Sequence, residues 1–150
     1  MAMRFSFKRA LLLACLLPMI LAVAGCTTGE EQVALLAAKA EKGDVDAMVE
    51  LGDIYYGAKN MDWSDATGAK WMKMAAEHGN PRAQYTIGVA YAKGLGVSID
   101  LVEGHKWEYL AYCSGFAPAK KAMEEIELMM RPRELRKAKE LEQQLGKCSI

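Results

Sequence analysis

The sequence repeats itself with a fixed period of 36 residues. Placed over Trp107–Ala119 without a gap, the segment Trp71–Ala83 matches it at tryptophan, alanine and glycine positions. Gly43, Gly79 and Gly115 lie one period apart in the same register. A period in the thirties is typical of stacked helical hairpins, each of which buries its apolar face against its neighbours. The repeat therefore predicts an all-α fold of stacked hairpins.

Glycine, proline and capping residues divide the chain into helices. Gly43 and Gly79 are placed to end helices, and Asn80-Pro81 supplies the cap and the first residue of the next one. We predict helices near Glu30–Lys42, Val45–Gly57, Ser64–His78, Pro81–Lys93, Asp100–Ser114, Pro118–Met130 and Pro132–Leu145. The first of these helices aligns with the second helix of the repeat, so the chain opens on the second helix of a hairpin.

These repeated residues resemble the Sel-one-like repeat, a relative of the tetratricopeptide repeat. They are Ala-x-x-x-Leu/Ile-Gly-x-x-Tyr, then Gly-x-Gly-Val-x-x-Asp, then Lys-Trp and Ala-Ala-Glu-x-Gly-Asn. The resemblance implies a right-handed α-solenoid of antiparallel helix hairpins, with about three and a half 36-residue repeats. It is strong over Ala47–Ala119 and weak after Phe116, as suits a terminal capping repeat.

The division of the chain follows from the repeat and from the N-terminal segment. We assign a signal peptide to 1–25, a tether to 26–29, a half-repeat to 30–43, full repeats to 44–79 and 80–115, a degenerate capping repeat to 116–145 and a tail to 146–150. The repeat domain is thus 30–145.

The first 25 residues have the pattern of a secretory signal. Basic residues precede the apolar run Ala10–Ala22, which is too short to span a bilayer as a mature anchor. The run leads into Val23-Ala24-Gly25-Cys26, which resembles the lipobox of bacterial lipoproteins. The resemblance implies cleavage between Gly25 and Cys26 and attachment of acyl chains such as palmitate to Cys26. The alternative is an ordinary secretory signal with a chance cysteine.

The tether predicts where the domain works. Residues 26–29 are few, so the domain lies close to the lipid headgroups. Thr27 stands where an aspartate would favour retention in the inner membrane. We therefore expect a lipid-anchored protein of the cell envelope, on the periplasmic face of the outer membrane if the cell is Gram-negative.

Net charge argues against a nucleic-acid partner. The signal contains three of the 19 basic residues and none of the 19 acidic ones, so the mature chain has a net charge of −3. A mildly acidic, mixed surface has no basic field that would attract a phosphate backbone.

Two of the four cysteines remain in the mature domain. Cys15 leaves with the signal and Cys26 is the lipidation site, which leaves Cys113 and Cys148. Adjacent hairpins bring these two positions near each other, and export favours oxidation. The sequence leaves two alternatives open, a disulfide and two free thiols.

The periodic residues have packing roles. Alanines and glycines allow helices to approach closely, and the aromatic rings supply large buried areas. The expected repeat core comprises Ala47, Leu51, Gly52, Tyr55, Trp71, Ala75, Gly79, Ala83, Ile87, Gly88, Tyr91, Trp107, Ala111 and Gly115. An aromatic box for a cofactor is the competing interpretation of the rings.

No catalytic signature occurs in the sequence. S-x-x-K, G-x-S-x-G, H-E-x-x-H and C-x-x-C are all absent. His78 and His105 are expected on solvated helix faces, and a Cys113–His105 thiol site would be excluded by a disulfide. We therefore predict no catalytic residue, no metal ligand and no cofactor.

One helix face remains for recognition. On the first helix of each hairpin, the side opposite the packed face holds Val49, Asp53 and Tyr56, then Tyr85 and Val89 one repeat on. Most of these residues are apolar or aromatic, where a solvated face would be charged. They form either a docking stripe for a partner or a contact between successive hairpins.

The sequence as a whole predicts a binding module. We expect a membrane-tethered, non-catalytic module for protein–protein interaction in the bacterial cell envelope, with another envelope protein as its partner. An inhibitor or immunity protein against an envelope-directed toxin is the alternative, and a hydrolase is the less favoured one.

Overall fold

A computed structural model describes residues 29–57, 65–146 and 148 of the chain. Within that part the backbone forms seven α-helices and no strand. They are α1 Gly29–Ala40, α2 Val45–Gly57, α3 Asp65–Glu77, α4 Pro81–Lys93, α5 Leu101–Cys113, α6 Pro118–Met129 and α7 Pro132–Leu145. All lie close to their predicted bounds, so the all-α prediction is confirmed.

From α2 to α6 the helices pack in chain order. The most extensive packing joins α2 to α3 and α4 to α5, and the hairpins are connected by contacts of α3 with α4 and of α5 with α6. The last helix, α7, returns to pack on α5. This nearest-neighbour packing is that of an α-solenoid.

The chain divides into two compact units between Leu35 and Leu36. Of the first unit the structure describes Gly29–Leu35, the opening turns of α1, whose side chains are mostly exposed. The second unit begins at Leu36 and contains the end of α1 and all later helices. The first helix begins at Gly29, the last residue of the predicted tether.

Some predictions fall outside the described residues. These are the signal at 1–25, its cleavage site and the predicted lipidation site Cys26. Among the residues that the structure does describe, no helix combines the length and the apolar character needed to cross a membrane.

Three glycines end helices in the left-handed backbone region, and two of them, Gly43 and Gly79, were predicted to do so. The φ angle is +92° at Gly43 and +85° at both Gly79 and Gly115. Asn80 then caps α4, accepting a hydrogen bond from the backbone N–H of Ala83 at 3.0 Å. Gly79 and Gly115 are exposed, however, so their assignment to the repeat core is wrong. A residue that ends a helix lies where the chain turns at the surface.

Most of the predicted core is buried. The buried members are Ala47, Leu51, Gly52, Ala75, Ala83, Ile87, Gly88, Trp107 and Ala111. Tyr55, Trp71 and Tyr91 are only half-buried, because rings of this size commonly keep one edge in water. Trp71 and Trp107 are therefore equivalent in sequence but not in burial, whereas Tyr55 and Tyr91 are alike in both.

The C-terminal segment is fastened to α5. Cys113 and Cys148 form a disulfide, with their Cα atoms 4.8 Å apart, so the structure contains the bonded alternative. Tyr109 donates a hydrogen bond to the carbonyl oxygen of Gly146 at 2.6 Å. The disulfide also excludes a Cys113–His105 thiol site.

Candidate functional site

The first candidate site is a groove of about 490 Å³. Its lining residues come from α2, α4, the start of α3 and the loop after α4, and they are Asp53, Tyr56, Asp65, Tyr85, Thr86, Val89, Ala90 and Leu95. We call this the docking groove. Four of the five residues predicted to bind a partner lie in it, namely Asp53, Tyr56, Tyr85 and Val89.

Val49 does not line the docking groove. It is buried, with 8% of its surface exposed, and so are its neighbours Ala47 and Met48. Three consecutive buried residues on a helix point in different directions, so α2 is covered over a wide arc. The prediction that Val49 belongs to an exposed stripe is therefore wrong.

Polar contacts hold the shape of the groove. Tyr56 donates a hydrogen bond from its hydroxyl to the carbonyl oxygen of Leu95 at 3.3 Å. Burial, assisted by the nearby Asp65 carboxylate, raises the pKa of Tyr56 to about 12. The phenol therefore stays protonated and remains a donor at neutral pH. Arg82 forms a two-pronged ion pair with Asp53, with N–O distances of 3.0 and 2.8 Å.

A smaller groove of about 100 Å³ adjoins the first one. Tyr85 and Val89 line both grooves, and Ile126 and Met129 of α6 extend the apolar lining. Tyr85 also packs on Phe116, with the ring centroids 5.2 Å apart. The apolar surface thus continues from α2 across α4 to α6.

A second candidate site is a polar cluster joining three helices. His105 of α5 is completely buried, and its Nε2 lies 2.8 Å from Oε1 of Glu127 on α6 and 3.4 Å from Oε1 of Glu142 on α7. Lys139 of α7 donates hydrogen bonds to the same two oxygens, at 2.6 and 3.1 Å. We call these four residues the histidine cluster.

The charges of the cluster stabilise each other. Burial raises the pKa of Glu127, but hydrogen bonds from Lys139 and His105 outweigh it and lower the pKa overall. For Lys139, burial lowers the pKa, and hydrogen bonds to Glu127 and Glu142 more than compensate. The Glu127 carboxylate and the Lys139 ammonium therefore keep their charges at neutral pH.

The prediction of a solvated His105 is wrong. His78 is exposed, as expected, but His105 has no exposed surface. One repeat earlier its position is held by Ala69, which is buried. The repeat register was therefore the signal that could have shown its burial. Glu127 and Glu142 gave no such signal, because both lie in strongly charged helices.

Glu108 is a further buried acid, which no pattern in the sequence indicated. Its side chain is completely buried, and neither carboxylate oxygen has a hydrogen-bond partner. Burial raises the pKa of Glu108 to about 8. The group is therefore mostly neutral at pH 7.

Comparison with solved structures identifies the kind of repeat. The chain is 29% identical to the protective antigen c5321 of uropathogenic Escherichia coli, which displays an SLR fold; the TM-score is 0.69 over 76% of this chain and 25% of that one. It is also 29% identical to a Sel1 repeat protein from Oxalobacter formigenes, with a TM-score of 0.56 over 77% of this chain and 91% of that one. The search against protein-family models found no match.

Curated proteins match over shorter stretches. The chain is 30% identical over 94 residues to DAP3-binding cell death enhancer 1 of Mus musculus, covering 63% of this chain and 18% of that protein. It is 31% identical over 68 residues to the ERAD-associated E3 ubiquitin-protein ligase component HRD3A of Arabidopsis thaliana, covering 45% and 10%. The chain thus spans less than a fifth of either relative.

The fold and its grooves define a helical-hairpin repeat protein. Such arrays offer surfaces for protein partners. The hairpins of this chain share the fold of the Sel1 repeat proteins with which it was compared.

Proposed function

We propose that this chain is a lipid-tethered, non-catalytic module that binds another protein of the bacterial cell envelope. The observation that supports this best is the docking groove, where half-exposed Tyr56, Tyr85 and Val89 lie beside the Asp53–Arg82 ion pair. Aromatic residues in an apolar patch with a charged rim are typical of protein interfaces. The groove is short and open, so it suits one helix or one loop of a partner.

The tether belongs to the same proposal. An acylated Cys26 would confine the module to a layer beside the membrane and raise its effective concentration toward other envelope proteins, so a modest interface would suffice. Its test is metabolic labelling with palmitate, followed by membrane fractionation. The wild-type chain should be labelled and should be found in the membrane fraction. The Cys26→Ser variant should be unlabelled and should be absent from the membrane fraction.

Introducing negative charges into the docking groove tests whether it binds a partner. Crosslinking in intact cells should capture an envelope protein with the wild-type chain, and Tyr85→Glu with Val89→Glu should abolish the capture at an unchanged melting temperature. Leu128→Glu is the matched control, because Leu128 is 88% exposed and lies outside the groove. If the double variant only melts the protein, the two residues serve packing between hairpins instead.

A groove-filling variant distinguishes lost packing from lost binding. Thr86 lines the groove and is half-buried, so Thr86→Trp fills the space without removing an apolar contact. It should also abolish capture. If the captured protein is an enzyme that binds the module in a one-to-one complex and loses activity on binding, the module is an inhibitor.

A further inference from the structure

The histidine cluster presents three donor atoms of the kinds that bind metal ions. Nε2 of His105 and one oxygen each from Glu127 and Glu142 all lie within 4.8 Å of one another. They come from α5, α6 and α7, so three separate helices converge on one point. Imidazole nitrogen and carboxylate oxygen are ligands of Zn²⁺, with bond lengths of about 2.0–2.2 Å.

We propose that His105, Glu127 and Glu142 form a site for a divalent transition metal of the Zn²⁺ type, in which the Lys139 ammonium is the cation that the metal displaces. Tetrahedral bonds of that length separate two donors by about 3.4 Å. The observed distance from Nε2 of His105 is 3.4 Å to Oε1 of Glu142 and 2.8 Å to Oε1 of Glu127, so ion binding must lengthen the second distance by about 0.6 Å. The fourth position faces the space that Lys139 leaves.

Charge balance favours the exchange. With a neutral imidazole, two carboxylates and one ammonium leave the histidine cluster with a net charge of −1. A divalent ion in place of the ammonium makes the local charge zero, which suits a site whose imidazole is completely buried. A monovalent ammonium therefore compensates the two carboxylates only in part.

Lys139 is able to leave. Its side chain is 42% exposed, so the ammonium reaches water by rotation about its own stem. Glu127 and Glu142 are 26% and 20% exposed, which leaves a path from solvent to their oxygens. The metal therefore enters from the side of α7 on which Lys139 lies.

The imidazole limits the affinity. To bind the metal, Nε2 must present its lone pair, so the ring proton lies on Nδ1. Nδ1 of His105 is buried without a hydrogen-bond partner. The site lacks the outer contact that usually orients a histidine ligand, and we expect binding to be about 10–100-fold weaker than in a site that has one.

The test is titration of the full chain in detergent with ZnCl₂, followed by calorimetry and by thermal melting. We expect one ion to bind and to raise the melting temperature, while MgCl₂ has no effect, since Mg²⁺ prefers all-oxygen octahedral sites. Glu142→Gln should weaken zinc binding at least tenfold. His78→Ala should leave binding unchanged, which separates this site from the exposed histidine.

Lys139→Met provides the decisive variant, because it removes the competing cation without removing a ligand. It should bind zinc at least tenfold more tightly than wild type. Lys137→Met is the matched control on the same helix, since Lys137 is exposed and outside the cluster. Equal affinity in the two variants, or no binding by either, would overturn the proposal and identify the cluster as an ion-pair network only. Neither result bears on the docking groove.

Discussion

Glu108 occupies in the α4–α5 hairpin the position that Met72 occupies in the α2–α3 hairpin, one 36-residue period earlier. Each side chain lies against a glycine of the preceding helix. A Cβ atom at Gly52 would lie 2.6 Å from Cγ of Met72, and one at Gly88 would lie 2.7 Å from Oε1 of Glu108. A thioether needs no hydrogen bond in such a place, whereas a carboxyl group does. The second hairpin therefore holds an ionisable group where the first holds an apolar one.

Because Glu108 is ionisable, the free energy of unfolding of the chain should depend on pH. Burial raises the pKa of Glu108 from 4.5 to about 8 on folding. Between those values the folded chain holds a proton that the unfolded chain has lost, so the contribution of Glu108 to the free energy of unfolding falls as pH rises. The slope is at most about 1.4 kcal/mol per pH unit. Urea denaturation of wild type and Glu108→Gln at pH 5, 6, 7 and 8 measures it.

We expect the stability of Glu108→Gln relative to wild type to increase steadily over this pH range. Glu77→Gln serves as the control, because Glu77 is an exposed acid on α3. Its stability relative to wild type should not change with pH. A pH-independent difference for Glu108→Gln would show that Glu108 ionises normally in the folded chain.

Gly96 and Gly79 should differ in their tolerance of alanine. Both have positive φ, +70° and +85°, so alanine costs each about 1–2 kcal/mol of backbone strain. A Cβ at Gly79 meets nothing within 4 Å, but one at Gly96 would lie 2.1 Å from the backbone oxygen of Asp65. Gly96→Ala should therefore lower the free energy of unfolding by about 1–3 kcal/mol more than Gly79→Ala. Equal losses in urea denaturation would mean that the loop does not contact α3.

The disulfide should stabilise the C-terminal hairpin. It links positions 35 residues apart, and closing such a loop stabilises by about 2–4 kcal/mol. Cys113→Ser with Cys148→Ser should lower the free energy of unfolding by that amount. Dithiothreitol should destabilise wild type equally and leave the double variant unchanged; an effect of the reductant on the variant would contradict the assignment.

The two repeated tryptophans should contribute differently to the free energy of unfolding. Trp107 is 6% exposed, while Trp71 is half-buried. Trp107→Ala should cost about 3–5 kcal/mol, and Trp71→Ala should cost clearly less. Thermal melting of both variants compares them directly, and equal losses would mean that burial does not set the energetic difference between the repeats.

The period of the sequence predicted the helices well because each repeat carries its own stop signals and caps, as at Gly79 and Asn80. It predicted the docking groove in part, since helical periodicity placed Tyr56, Tyr85 and Val89 on the same side of the first helices of two successive hairpins. The prediction for Val49 was wrong because a helical wheel does not show how much of the helix surface neighbouring elements cover. The histidine cluster could not be predicted from the sequence, because its members meet only when α6 and α7 pack on α5.

Binding through the docking groove is the central claim, and site-specific photocrosslinking in intact cells tests it most directly. A photoreactive amino acid at Thr86 lies inside the groove, and one at exposed Glu77 lies outside it. We predict one dominant adduct from position 86, which disappears when Tyr85→Glu and Val89→Glu are added, and no such adduct from position 77. Equal adducts from both positions, or an adduct from position 86 that survives the two charges, would contradict the account.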